Sequence, residues 1–187
     1  MRPSGFGPFQ KVSGRWRLPR GVDLVVALGL IGLLALGAAV LQLKLGSAPE
    51  ITGFGEAIDG DSIRLSGEEI RLKGLDAPEY QQTCRHPDGR ELQCGRNARR
   101  HLAALLKAGP LTCAIEGRDR YQRALGRCRI GDRDLNAQMV RDGQAVAFGN
   151  YDGEEREART ARRGIWGLTF DKPADWRIQN SGEARRR

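Results

Sequence analysis

The sequence predicts an α+β domain, a five-stranded Greek-key β-barrel with about three helices, preceded by one transmembrane helix. Three observations carry this. Residues 24–43 contain no charged residue, about the length an α-helix needs to cross a bilayer. Between residues 51 and 130, short stretches with apolar residues at every second position are separated by Gly- and Pro-containing turns, the pattern of short strands. Helical periodicity enters after the third strand and again toward the C-terminus. Five strands, a helix after the third and helices trailing fit a barrel of the oligonucleotide/oligosaccharide-binding kind, the OB-fold.

Residues 1–23 read as a basic cytoplasmic leader with Arg2, Lys11, Arg15, Arg17 and Arg20 against Asp23. The span 24–43 follows and reads as an uncleaved signal anchor. Small residues at Gly37-Ala38-Ala39 or Gly46-Ser47-Ala48 keep a cleaved signal, and with it secretion, as the alternative. Basic residues ahead of the span and only Lys44 close after it direct the N-terminus to the cytoplasm and the domain to the outside, periplasmic or extracellular. Residues 44–50 form a linker, 51–170 the domain and 171–187 a C-terminal tail.

Within the domain, Ile51–Ile58 reads as a strand interrupted by Gly53 and Gly55. Ile63 and Leu65 flank Arg64, and Ile70 and Leu72 flank Arg71, so two further strands put their apolar side chains on one face. Pairing through Ser66-Gly67 brings Asp61, before the first of these strands, and Asp76, after the second, to one end. Ala98, Leu102, Leu105 and Leu106 mark a helix over 95–108, ended by Gly109-Pro110. Residues 111–115 and 124–130 form a hairpin, Asp134–Arg141 a short helix closed by Gly143, and 144–148 an extended segment. Gly153–Arg163 is expected as the last helix, with Glu155 and Arg159 spaced to pair and Ile165-Trp166 packing back onto the core.

The formal net charge is +8, yet the leader and the tail arginines Arg185, Arg186 and Arg187 carry most of it. Global charge is therefore weak support for nucleic-acid binding. The local cluster Arg118, Arg120, Arg123, Arg127, Arg129 and Arg133 is stronger support.

An outside location makes the four cysteines informative, because that compartment is oxidising. Cys113 and Cys128 sit about equally far from the hairpin centre, and Cys84 and Cys94 bracket a short loop. The expected pairs are Cys84–Cys94 and Cys113–Cys128. A metal site from Cys84, His86, Cys94 and His101 competes, although its spacing matches none of the common zinc patterns.

The chemistry concentrates in 58–79. Asp59, Asp61, Asp76 and Glu79 lie beside Arg71, and two carboxylates with a backbone carbonyl suit Ca²⁺. Pro78 holds Ala77 extended, which fixes where Glu79 emerges. Each acid read singly is also explained as a turn residue or a solvated strand end.

Taken together, Asp59-Gly60-Asp61-Ser62-Ile63, Arg71-Leu72 and Asp76-Ala77-Pro78-Glu79 resemble the active-site segment of the staphylococcal nuclease (thermonuclease) family. Asp119-Arg120-Tyr121-Gln122-Arg123 is similar to the family's second signature, with Gln122 where the family has Gly. Later segments around Leu135-Asn136, Val140–Ala145 and Gly164-Ile165-Trp166 resemble the family in the same order. The resemblance implies Asp61, Asp76 and the Ala77 carbonyl as Ca²⁺ ligands, Glu79 as the base for the attacking water, and Arg71 and Arg123 as phosphate clamps. It also implies Arg120, Tyr121 and Tyr151 near a bound nucleotide. The expected function is a Ca²⁺-dependent endonuclease acting on DNA or RNA outside the cytoplasm. The alternative is a non-catalytic OB-fold module that binds nucleic acid or a protein at the membrane.

Overall fold

The computed structural model describes residues 21–45 and 48–184. The leader cations Arg2, Lys11, Arg15, Arg17 and Arg20, the linker residues Gly46 and Ser47, and the tail arginines Arg185–Arg187 lie outside the described residues. Two separate units form, one ending at Ser47 and one beginning at Ala48.

Among the described residues the first unit contains one helix, α1 (Gly21–Leu45), slightly longer than the 24–43 span expected. Its window Leu24–Leu41 has a mean hydropathy of 2.8, and by length and composition it can cross a membrane. Its apolar side chains across Leu24–Leu41 are exposed.

The second unit starts with β1 (Glu50–Gly53) and β2 (Gly55–Ala57), separated only by Phe54. Then come β3 (Ser62–Leu65), β4 (Glu68–Leu72), β5 (Leu75–Asp76), β6 (Cys84–Arg85) and β7 (Glu91–Leu92). Helix α2 (Cys94–Leu106) precedes the hairpin β8 (Leu111–Arg118) and β9 (Ala124–Ile130). The chain continues through β10 (Arg133–Asp134), α3 (Leu135–Arg141), β11 (Val146–Ala147), α4 (Asp152–Thr160), a 3₁₀ turn (Gly164–Gly167) and α5 (Pro173–Ala184).

The main sheet has the order β1-β8-β9-β4-β3-β2, with β10 added to β9. The two strands at its ends, β1 and β2, are consecutive in the chain, so they act as one bent strand that pairs on both sides and curls the sheet into a barrel. Counted this way the barrel is five-stranded, as expected. All pairings in it are antiparallel except β4 with β9, and α2 lies in the connection before β8.

The period-two pattern of β3 and β4 works as read. Ile63, Leu65, Ile70 and Leu72 are fully buried with Leu102 of α2, Leu111 of β8, and Leu135, Met139 and Val140 of α3. Arg64, on the opposite face of β3, is exposed. Both expected disulfides form, Cys84–Cys94 and Cys113–Cys128. The second joins directly paired positions of β8 and β9, and the arrangement excludes Cys84 and Cys94 as ligands of a zinc site.

The expectation that Gly153–Arg163 forms the last helix is corrected. That helix ends at Thr160, and α5 forms inside the segment read as tail. Pro173 at its first position is preset for a helix start.

Candidate active site

Asp61 is placed by its own turn. Asp59 Oδ1 accepts the Asp61 N–H at 3.0 Å, and the Leu72 N–H donates to the Asp61 carbonyl at 2.8 Å, tying the start of β3 to the end of β4. Gly60 is required here because a Cβ would come within 2.7 Å of the Ala77 Cβ and 2.8 Å of the Ala98 Cβ. The turn thus packs against both the Asp76 segment and α2. Asp76 is fixed from the other side by pairing of β5 with β11, in register with Val146.

Arg71, between them, is half-buried and joins the two acids. Its Nη1 donates to Asp61 Oδ1 at 3.1 Å and its Nη2 to Asp76 Oδ1 at 2.9 Å, while Nη2 also pairs with Asp61 Oδ2. Asp61 and Asp76 are each 4 % exposed. Burial pushes the Asp61 carboxyl up to about 7 against the opposing pull of Arg71, with Asp59 and Asp76 adding to the rise.

Glu79 is set by a second layer. Gln82, fully buried, accepts the Glu79 N–H on Oε1 at 3.2 Å and donates from Nε2 to the Asp171 carbonyl at 2.7 Å. The Gln82 N–H returns to the Glu79 carbonyl at 2.7 Å, and the Gly95 N–H donates to the Gln82 carbonyl at 3.2 Å. A Cβ on Gly95 would overlap the Glu79 carbonyl. The Cys84–Cys94 bridge therefore closes a loop whose end, at the start of α2, touches the backbone of Glu79.

Arg123 comes from the β8–β9 connection. Asp119 Oδ1 accepts the N–H groups of Tyr121 at 2.8 Å and Arg123 at 3.0 Å, and Asp119 Oδ2 accepts from Arg123 Nε at 2.8 Å. Gln122, between them, sits at φ 66°, the left-handed region that glycine occupies at least cost. The turn that a glycine would make is retained with a side chain in place, and Arg123 stays aimed at the site. Burial lowers the Arg123 guanidinium, but hydrogen bonding and charge from Asp119 outweigh it and raise the group overall.

These residues meet in one cleft of about 780 Å³ whose lining includes Asp61, Arg71, Asp76, Ala77, Glu79, Arg120, Tyr121 and Arg123. Tyr121 is exposed on the rim, with the Arg120 guanidinium 4.8 Å from its ring centroid. Tyr151 does not line the cleft. It begins α4 at φ 69°, its ring lies against Gly74, and its hydroxyl donates to Asp134 Oδ2 at 3.4 Å. Phe148, exposed, lines the cleft instead.

The sequence reading missed one further residue in the site. Arg177 of α5 donates from Nη1 to Asp76 Oδ1 at 3.0 Å and Glu79 Oε1 at 2.7 Å, and from Nη2 to Asp76 Oδ2 at 2.9 Å. The hydrogen bonds it donates to Asp76 and Glu79 outweigh burial and raise its guanidinium further. The partners lie 101 and 98 positions away, a separation that local pattern does not reveal; the one available signal was Pro173 as a helix start.

The donors fit a hard divalent cation. Asp61 and Asp76 converge on a single nitrogen of Arg71, so two buried carboxylates face one point of positive charge, and both offer oxygen only. Among the described residues, no group of three or more His, Cys, Asp or Glu side chains is gathered as a ready metal cluster.

Residues 69–167 match the family model described as staphylococcal nuclease homologue. The succinoglycan biosynthesis protein ExoI of Rhizobium meliloti (strain 1021) is 36% identical over 138 residues, 70% of this chain and 72% of ExoI. The probable staphylococcal-like nuclease CAN4 of Oryza sativa subsp. japonica is 31% identical over 156 residues, and the chain spans 29% of that protein's length. An uncharacterized endonuclease of Haemophilus influenzae is 27% identical over 133 residues, 65% of this chain and 69% of that protein. With an OB-fold barrel, a cleft of acids and arginines, and a family match over more than half its length, the chain belongs to the staphylococcal nuclease family of phosphoester hydrolases.

Proposed function

We propose that the chain is a Ca²⁺-dependent endonuclease that hydrolyses DNA or RNA outside the cytoplasm, with α1 as its membrane anchor. The observation that carries the reading is that one cleft gathers Asp61, Asp76 and Glu79 with Arg71 and Arg123. Asp61, Asp76 and the Ala77 carbonyl would hold Ca²⁺, which when bound supplies positive charge against the phosphate.

Glu79 accepts a proton from the attacking water as that water's oxygen bonds to phosphorus. The bond from phosphorus to the departing nucleoside oxygen breaks, and that oxygen takes its proton from solvent. The phosphoryl group gains negative charge on the way, and Arg71 and Arg123 stay protonated and can hold two oxygens each. Arg120 and Tyr121 on the rim suit a neighbouring phosphate and a stacked base. The apolar helix and two disulfides support an oxidising compartment at a membrane surface.

Incubation of the full chain in detergent with labelled single-stranded DNA and RNA tests the reading. Cleavage in Ca²⁺ that stops in EDTA supports it; binding of the strand without cleavage in Ca²⁺ supports a non-catalytic module instead.

A further inference from the structure

Arg177 uses its two terminal nitrogens on three oxygens of the site. Both oxygens of Asp76 and one of Glu79 accept from it, and these are the groups a divalent cation and its water would engage. We propose that α5 is an intramolecular cationic strap: Arg177 competes with the divalent cation for Asp76 and Glu79 and leaves them when the cation binds. This rests on the Ca²⁺ reading given under the proposed function.

The chain leading to α5 is built to aim it. Arg85 and Thr169 exchange backbone hydrogen bonds at 2.9 and 2.8 Å, and Gln82 holds the Asp171 carbonyl. Trp166 and Phe170 meet edge to face at 5.1 Å and pack against Cys84, Cys94, Val146 and Ile165. Residues 165–171 are thus latched to the disulfide-closed loop that also sets Glu79.

Beyond that latch the packing is thin. Across 173–180 Pro173 is the one buried residue, while Trp176 and Arg177 are half-buried and Ile178 is 74% exposed. A segment with so little buried apolar surface across 173–180 opens at low cost, and the ion pair of Arg177 with Asp76 and Glu79 is a specific contact that orients it. The hinge falls between the Asp171 latch and Pro173. A guanidinium fork matches phosphate as well as carboxylate, so an incoming phosphodiester also draws Arg177 off Asp76.

The test is calorimetric titration of the full chain in detergent with CaCl₂, wild type against Arg177→Gln, with hydrogen exchange of the wild type read alongside. The expected result is Ca²⁺ binding about tenfold tighter in the variant, the scale of a charged hydrogen bond removed from a competitor. In the wild type, Ca²⁺ is expected to raise exchange at 173–184 and leave 63–72 unchanged. Equal or weaker Ca²⁺ binding by Arg177→Gln overturns the strap and leaves the Ca²⁺ reading standing. Unchanged exchange at 173–184 in wild type saturated with Ca²⁺ also overturns it, without recourse to the variant. Binding of Ca²⁺ by neither protein overturns the Ca²⁺ reading and the strap together.

Discussion

Asp119 holds Arg123 at two points, the backbone N–H at 3.0 Å and the side-chain Nε at 2.8 Å. The same carboxylate takes the Tyr121 N–H at 2.8 Å, so one acid sets the loop's shape and the direction of its guanidinium. Replacing Asp119 with Ala leaves Arg123 in place but unaimed. Loss of such a charged hydrogen bond is expected to lower kcat/KM about tenfold or more. Steady-state cleavage, with Ca²⁺ affinity measured in parallel and unchanged, checks this.

Gln122 bears the conformational cost of that loop. At φ 66° a non-glycine residue is strained, and its carbonyl already serves Arg118 Nη1 at 2.8 Å. Gln122→Gly keeps the backbone contact and relieves the strain. The expected gain is about 1 kcal/mol in folding stability, read by urea denaturation. Activity should persist, because the turn is already the one glycine makes.

Asn136 sits fully buried at the join of β4, β9 and α3. Its Nδ2 donates to the Lys73 and Gly126 carbonyls at 2.9 and 3.0 Å, and its Oδ1 accepts the Cys128 N–H at 3.0 Å. Asn136→Leu removes the side-chain partner of the Lys73 carbonyl and of the Cys128 N–H inside the barrel, and leaves the Gly126 carbonyl with the Lys73 N–H at 2.8 Å. The expected loss is about 3 kcal/mol or more, seen as a lower denaturation midpoint.

Tyr151 gives a pH signature. Burial first, then the Asp134 carboxylate, pushes its phenol up to about 12 from an ordinary 10.0. A raised folded-state pKa means the neutral form is favoured in the fold. Its contribution is fully present below pH 10 and is lost as pH rises from about 10 to about 12. Denaturation curves across that window should show a loss in the wild type that Tyr151→Phe lacks.

The barrel was legible because its signals are local. Ile63 and Leu65 against Ile70 and Leu72 repeat at the period of a strand, and Cys113 and Cys128 are equidistant from one turn. The helices around Leu102 and Met139 announced themselves by spacing and by their glycine stops. The site was legible as far as its residues lie on those elements: Asp61 and Asp76 meet at Arg71 because β3 and β4 pair in the expected register. Tyr151 packs at the edge of the core because a left-handed residue at the start of α4 turns the ring to Gly74 and the hydroxyl to Asp134, while Phe148 lines the cleft. Arg177 was out of reach because its place depends on how residues 165–171 latch onto the Cys84–Cys94 loop, a contact between distant segments with no local pattern.

Gln82 belongs with Arg177 in that respect. As a sequence letter it is an ordinary polar loop residue, yet it is fully buried and joins Glu79 to Asp171. Its role follows from burial without solvent, where an amide must find both its donors' and acceptor's partners.

In the proposed reaction Glu79 removes the proton from the water that attacks phosphorus. The direct measurement is the single-turnover cleavage rate of a labelled DNA strand by the full chain in saturating Ca²⁺, wild type against Glu79→Gln. The expected fall is about 100-fold or more, the usual contribution of a general base, with strand binding retained. A Glu79→Gln protein that cuts at the wild-type rate would contradict it.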